Sequence, residues 1–233
     1  CMIEPQNPFA NKELTTEERI VLRAEREANI EAEKNGGIPT KRSLIKLRKA
    51  YDDAGNDFKA AETLEQQNEI YPNPEDYNLI GVYYHNSGNK DKAVEFFERA
   101  IEHNPNDYWP NFNLGNTLFY KDPQRARKHL NKAYELYPSE PCINILLGRL
   151  DKNEGKTVEA KEKFQIAYDK YEQRWKANSL SDTDYDWFAS VAEELGKRDK
   201  AYEIRRAKPK IEKTSYYDEE NLTQTILKSI TKI

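Results

Sequence analysis

The chain has 233 residues, with 37 Lys and Arg against 41 Asp and Glu and a formal net charge of −4. No global positive field exists to neutralise a phosphate backbone, so nucleic acid is not an expected partner, and no stretch approaches the ~18 apolar residues of a membrane-spanning helix. Hydrophobic residues make up 37% and charged ones 33%, a lean mixture that suits a thin two-layer body more than a globule with one deep core.

Cys1 stands where a nascent chain carries Met. Bacterial lipoproteins mature by cleavage before such a cysteine, whose thiol is then acylated, so Cys1 is a candidate lipidation site, carrying palmitate or a similar chain after a cleaved signal peptide. Residues 1–13 contain Pro5, Pro8 and several polar side chains without a helical or strand period, as a lipid-anchor tether would. Met2 in place of Asp implies, by resemblance to enteric lipoprotein sorting, an outer-membrane address in the bacterial envelope. A cytoplasmic protein in which Cys1 only marks where the expressed segment begins stays open as the alternative. Cys142, the other cysteine, is expected as an unpaired, buried thiol.

Residues 14–40 form an N-terminal helix and linker. Thr15-x-x-Glu18 is a capping-box pattern that opens a helix to about Lys34, with a stripe of Val21, Ala24, Ala28 and Ala32. Gly36-Gly37-Ile38-Pro39 then separates that helix from the segment beginning at Lys41.

Residues 41–210 are an array. Five times an alanine sits five residues after a glycine or its substitute: Ala60, Ala93, Ala126, Ala160 and Ala201, spaced by 33, 33, 34 and 41 residues. The clearest unit, 74–107, reads Tyr77, Ile80, Gly81 and Tyr84, then Gly88, then Ala93, Phe97, Ala100 and Pro105. Apolar residues recurring at three and four place one stripe on each of two helices, which must pack on each other to hide it. Units 41–73, 108–140, 141–181 and 182–210 repeat several of these columns. Departures are Arg48 and Gln67 for small residues in the first unit, Asp122-Pro123 for the glycine turn in the third, and Asp151 for an aromatic in the fourth. In the last unit Arg205 and Lys208 break the apolar face. Residues 211–233 place Leu222, Ile226, Leu227, Ile230 and Ile233 on one side, as a C-terminal capping helix would.

This column pattern resembles the tetratricopeptide repeat. The resemblance implies an all-α fold, a right-handed α-solenoid of about five helix-turn-helix units with flanking N- and C-terminal helices. In that family the first helices of successive repeats line a concave groove that holds extended or helical peptides. Carried over, the groove receives Lys49 and Asp53, then Asn78, Val82, His85 and Asn86, then Trp109, Phe112, Asn116, Phe119 and Tyr120, then Cys142, Ile145, Arg149 and Asn153. The aromatics of the third unit, beside Asn and Arg, have the composition of an interaction hot spot. Two readings remain open there: the rings meet a partner, or a flanking helix or neighbouring chain already covers them. Lys49, Asn116 and Arg149 suggest a carboxylate clamp, but Val82 stands where the second unit would need a donor, so none is expected. The basic cluster Lys41/Arg42/Lys46/Arg48/Lys49 reads as a solvated helix face.

Catalytic chemistry lacks carriers. His85, His103 and His129 lie far apart without metal-ligand spacing, and neither a phosphate-binding glycine loop nor a nucleophile elbow is present. The expectation is a non-enzymatic scaffold without cofactor or metal, holding a protein or peptide in its groove as part of a multi-protein complex. Its expected setting is that of an envelope lipoprotein supporting a membrane, secretion or pilus assembly. A cytoplasmic adaptor or co-chaperone, and an adaptor for peptidoglycan enzymes, are the alternatives.

Overall fold

The computed structural model describes residues 14–209, which contain eleven α-helices and no strand. Cys1, the tether 1–13 and the C-terminal stretch 211–233 lie outside the described residues. The chain divides between Lys163 and Phe164 into two compact units. The division falls within helix α9 (Thr157–Lys176).

In the first unit α1 (Thr16–Lys34) begins at a closed capping box. Glu18 N donates to Thr15 Oγ1 at 3.2 Å, and Thr15 N donates to Glu18 Oε2 at 2.8 Å, satisfying two of the donors a helix start leaves bare. α1 packs on α2 (Lys41–Asp53), burying Ala28 and bringing Val21 to the core. Its small side chains leave room for polar ties, and Tyr51 of α2 donates its hydroxyl to Glu25.

Next come three hairpins: α2 with α3 (Asp57–Ile70), α4 (Tyr77–Asn86) with α5 (Lys90–His103), and α6 (Tyr108–Leu118) with α7 (Pro123–Leu136). Each second helix also packs on the next first helix, the last of which in this unit is α8 (Pro141–Asn153). Stacking of this kind makes the unit an α-solenoid, in which every hairpin hides its apolar stripe against its neighbours. Asn56, Asn89 and Asp122 start the second helices alike, each side chain accepting the backbone N–H three residues on. In the third hairpin Pro123 takes the first helical position, where no donor is needed, so Asp122-Pro123 replaces the glycine turn. Gly88, at φ +87, makes the turn in the second hairpin.

Two of the departures from the repeat columns, Arg48 and Asp151, have a physical explanation, and Gln67 has none. Arg48 donates from Nη1 to Tyr83 Oη at 3.0 Å, tying α2 to α4, whereas Gln67 is buried with its Oε1 unbonded. Asp151, 3% exposed, accepts from Arg127 Nη1 at 2.8 Å and Lys163 Nζ at 2.6 Å. Arg127 also reaches Glu154 at 2.9 Å, so a carboxylate with two cations fills the place of an aromatic ring.

The second unit contains the rest of α9 together with α10 (Asp182–Glu194) and α11 (Arg198–Ala207). Its core centres on Phe188, which packs against Tyr168, Tyr171 and Trp175 with ring centroids 5.3, 5.8 and 6.0 Å away. Lys197 Nζ caps the Tyr168 ring at 3.5 Å. Only Ala201 and Ile204 of α11 are buried. Arg205 and Lys208 turn to Glu193 and Asp186 at 2.6 and 2.5 Å, so the charges that interrupt the apolar stripe hold α11 to α10.

Candidate functional site

The first helices of the first unit lie side by side, and polar bonds fix their register. Asn113 Nδ2 on α6 donates to Asn78 Oδ1 on α4 at 3.0 Å, and His85 Nδ1 meets Thr117 Oγ1 at 2.8 Å. Thr117 spends its own hydroxyl proton on the Asn113 carbonyl at 2.7 Å, so its oxygen accepts from His85 and the imidazole carries its proton on Nδ1. Burial, and then the charge of Lys90, lowers the pKa of His85 below its ordinary value. Asn113 and Thr117 were not among the sequence-derived groove residues.

On this face Trp109 is 57% exposed and Tyr120 is 89% exposed. Trp109 lies in the first turn of α6, and Tyr120 lies in the turn just past its end, after the cap residue Phe119. Phe112 and Phe119, at 7% and 5%, are buried. Phe112 stacks on Tyr108 at 5.8 Å and meets the edge of Trp109 at 6.4 Å, while Phe119 lies edge-on to Tyr120 at 4.9 Å. Of these four rings, two are exposed and are seated on the two buried ones. Tyr108 links the first pair to Tyr137, another exposed ring, at 5.7 Å.

The remaining sequence-derived residues divide by exposure. Asn78, Val82, His85, Asn116 and Arg149 are half-buried, and Lys49, Asp53, Asn86 and Asn153 are exposed. Cys142 and Ile145 are buried, the Cys142 thiol lying 3.8 Å from the Tyr108 hydroxyl, so these two offer no open surface. Ile45 and Leu79 add exposed aliphatic side chains on α2 and α4. Among the described residues no group of three His, Cys, Asp or Glu side chains is placed to hold a metal ion, and no helix is long and apolar enough to cross a membrane.

Stacked helical hairpins with Gly81 and Gly115 at the contacts between their helices give the first unit a fold of the tetratricopeptide-repeat kind. The tetratricopeptide repeat family model matches residues 74–107, the second hairpin. Solved structures share the fold. A crystal structure of MamA is 20% identical over 71% of this chain and 99% of that chain, with a TM-score of 0.56. MamA residues 41 to the end from Desulfovibrio magneticus RS-1 are 16% identical over 76% of this chain and 97% of that one, with a TM-score of 0.53. Likeness at these identities concerns the fold alone.

Proposed function

We propose that the protein is a non-enzymatic adaptor that holds a protein partner on the face formed by α2, α4 and α6. The observation that carries this reading is the pair Trp109 and Tyr120, two large rings left exposed on a base of buried rings. A rigid base lowers the entropy cost of using those rings for binding, and aromatics of this kind supply much of the energy of protein contacts. A photo-crosslinking residue introduced at Tyr120, in cells, tests the reading against the same residue at Val158, which is 67% exposed on α9. A discrete adduct from position 120 alone supports it. Adducts from position 158 alone, or from neither, overturn it.

The envelope setting belongs with this proposal as its finer part, an adaptor of a membrane, secretion or pilus assembly held by lipid on Cys1. Recovery of the native protein in membranes, with the mass of acyl chains on the peptide bearing Cys1, supports that setting. Recovery in the cytosol with a free thiol favours the cytoplasmic adaptor.

A further inference from the structure

Charge is spread unevenly over this face. α4 and α6 contain no Asp, Glu, Lys or Arg, in a chain of which one third is charged. Apart from the buried Asn111, their polar groups are His85 and the amides of Asn78, Asn86, Asn113 and Asn116, with hydroxyls beside them. An amide side chain both donates and accepts, so it can satisfy the main chain of an extended segment without selecting its charge.

α2 differs. Arg42, Lys46 and Lys49 are four and three residues apart and all exposed, on the side of the helix that also exposes Ile45. Lys46 reaches Glu27 of α1 at 3.6 Å with both side chains well exposed. Among the described residues Arg42 and Lys49 have neither an ion pair nor a hydrogen bond. Nearby acids include Asp52 and Asp53 in the last turn of α2 and Glu75 and Asp76 ahead of α4, Glu75 turned to His103 at 3.4 Å. The first turn of α2 carries cations and no acid, which opposes the helix dipole. Helix stability does not explain that choice.

From these observations we infer that the face takes an acidic, extended segment of another protein. Its carboxylates lie over Arg42, Lys46 and Lys49, and its apolar side chains follow Ile45, Leu79 and Trp109. Three cations beside a neutral amide and aromatic floor suit a few carboxylates. A phosphate backbone or an anionic membrane would need cations along the whole face. The assignment rests on the first-helix reading under Proposed function and adds the charge and the apolar spacing of what binds there.

The test uses the full chain and two fluorescein-labelled twelve-residue peptides, one alternating glutamate with leucine and the other lysine with leucine, followed by anisotropy. The glutamate peptide binds, the lysine peptide does not, and high salt weakens the complex. Arg42→Glu with Lys49→Glu, at two exposed and unpaired positions, weakens glutamate-peptide binding about tenfold and brings in the lysine peptide. Equal binding of both peptides, sensitive to Trp109→Ala, overturns the acidic assignment and leaves the first-helix reading standing. Glutamate-peptide binding that ignores Trp109→Ala and both charge reversals sinks the reading as well. No binding of either peptide, or a dimer of this chain that the two reversals dissociate, overturns the assignment to an acidic segment of a separate partner.

Discussion

Gly81 of α4 lies against the Phe97 ring of α5 so closely that a Cβ at Gly81 would fall 2.6 Å from a ring carbon. Phe97 is 1% exposed, so its ring is packed on all sides by the core. Two effects of Gly81→Ala therefore oppose each other. Alanine favours a helix by about 1 kcal/mol over glycine, whereas overpacking a tight contact costs about 1–3 kcal/mol. With the ring held in a packed core the second is expected to win, and a urea unfolding midpoint lower than that of the parent checks it. A higher midpoint would mean that the ring or the hairpin gives way enough to restore an ordinary contact.

The two members of the Trp109/Phe112 pair are expected to behave differently when truncated. Phe112 is buried and stacked on Tyr108, so Phe112→Ala should cost about 3 kcal/mol through the cavity it leaves. Trp109 projects into solvent, and Trp109→Ala should change stability by less than about 1 kcal/mol. Thermal melts of the two single variants separate the roles. Equal losses would place Trp109 in the core and remove it from the binding face.

Much of this was legible in the sequence because the repeat writes the same contact several times. Gly81 with Phe97, and Gly115 with Leu130, are one contact in two copies, a Cβ at Gly115 falling 2.7 Å from the leucine side chain. The ring depths were not legible. Phe112 and Phe119 share a face with Trp109 by helical period, and the period does not tell that Tyr108 lies under one of them or that α6 ends at Leu118 just before the other. Asp151 was legible only as an exception. Its partners are 24 residues before it and 12 after it, on helices α7 and α9, and no local pattern joins them.

Asp151→Asn keeps the shape of the side chain and removes its charge. Burial by itself would raise the Asp151 pKa, but Lys163 and Arg127 outweigh that effect and hold the carboxyl below its ordinary 3.8. Breaking a buried ion cluster costs about 3–5 kcal/mol. Arg127 and Lys163 remain partly solvated, so a loss of about 2 kcal/mol at pH 7 is expected here. The depressed pKa fixes the sign with pH: the contribution is complete above the unfolded value and disappears as pH falls through the folded one. Urea unfolding of parent and variant should show a gap at pH 7 that narrows below pH 3.8. A gap of constant size would show that the cations do not act through the charge.

The histidines give a slope at milder pH. His85 donates from Nδ1 to Thr117 at 2.8 Å. His129 meets Asn111 Oδ1 at 3.2 Å, while the Asn111 amide donates to the Asp107 carbonyl at 2.9 Å, so His129 also carries its proton on Nδ1. Both are half-buried, and burial followed by neighbouring cations lowers both pKa values from 6.5. The cations are Lys90 for His85 and Lys128 and Arg125 for His129, the last two partly countered by Glu98. Protonation is thus easier in the unfolded chain, and stability is full above pH 6.5 and declines as pH falls from there toward the folded values. His85→Asn with His129→Asn keeps a donor near the Nδ1 position and cannot take up the proton. Carboxylates common to both proteins cancel in the comparison, so between about pH 7.5 and 5.5, a range set by the unperturbed histidine pKa, the parent should lose urea resistance relative to the double variant. Parallel pH curves would place these imidazoles in solvent-like surroundings and detach the Asn78–Asn113 and His85–Thr117 register from any pH response.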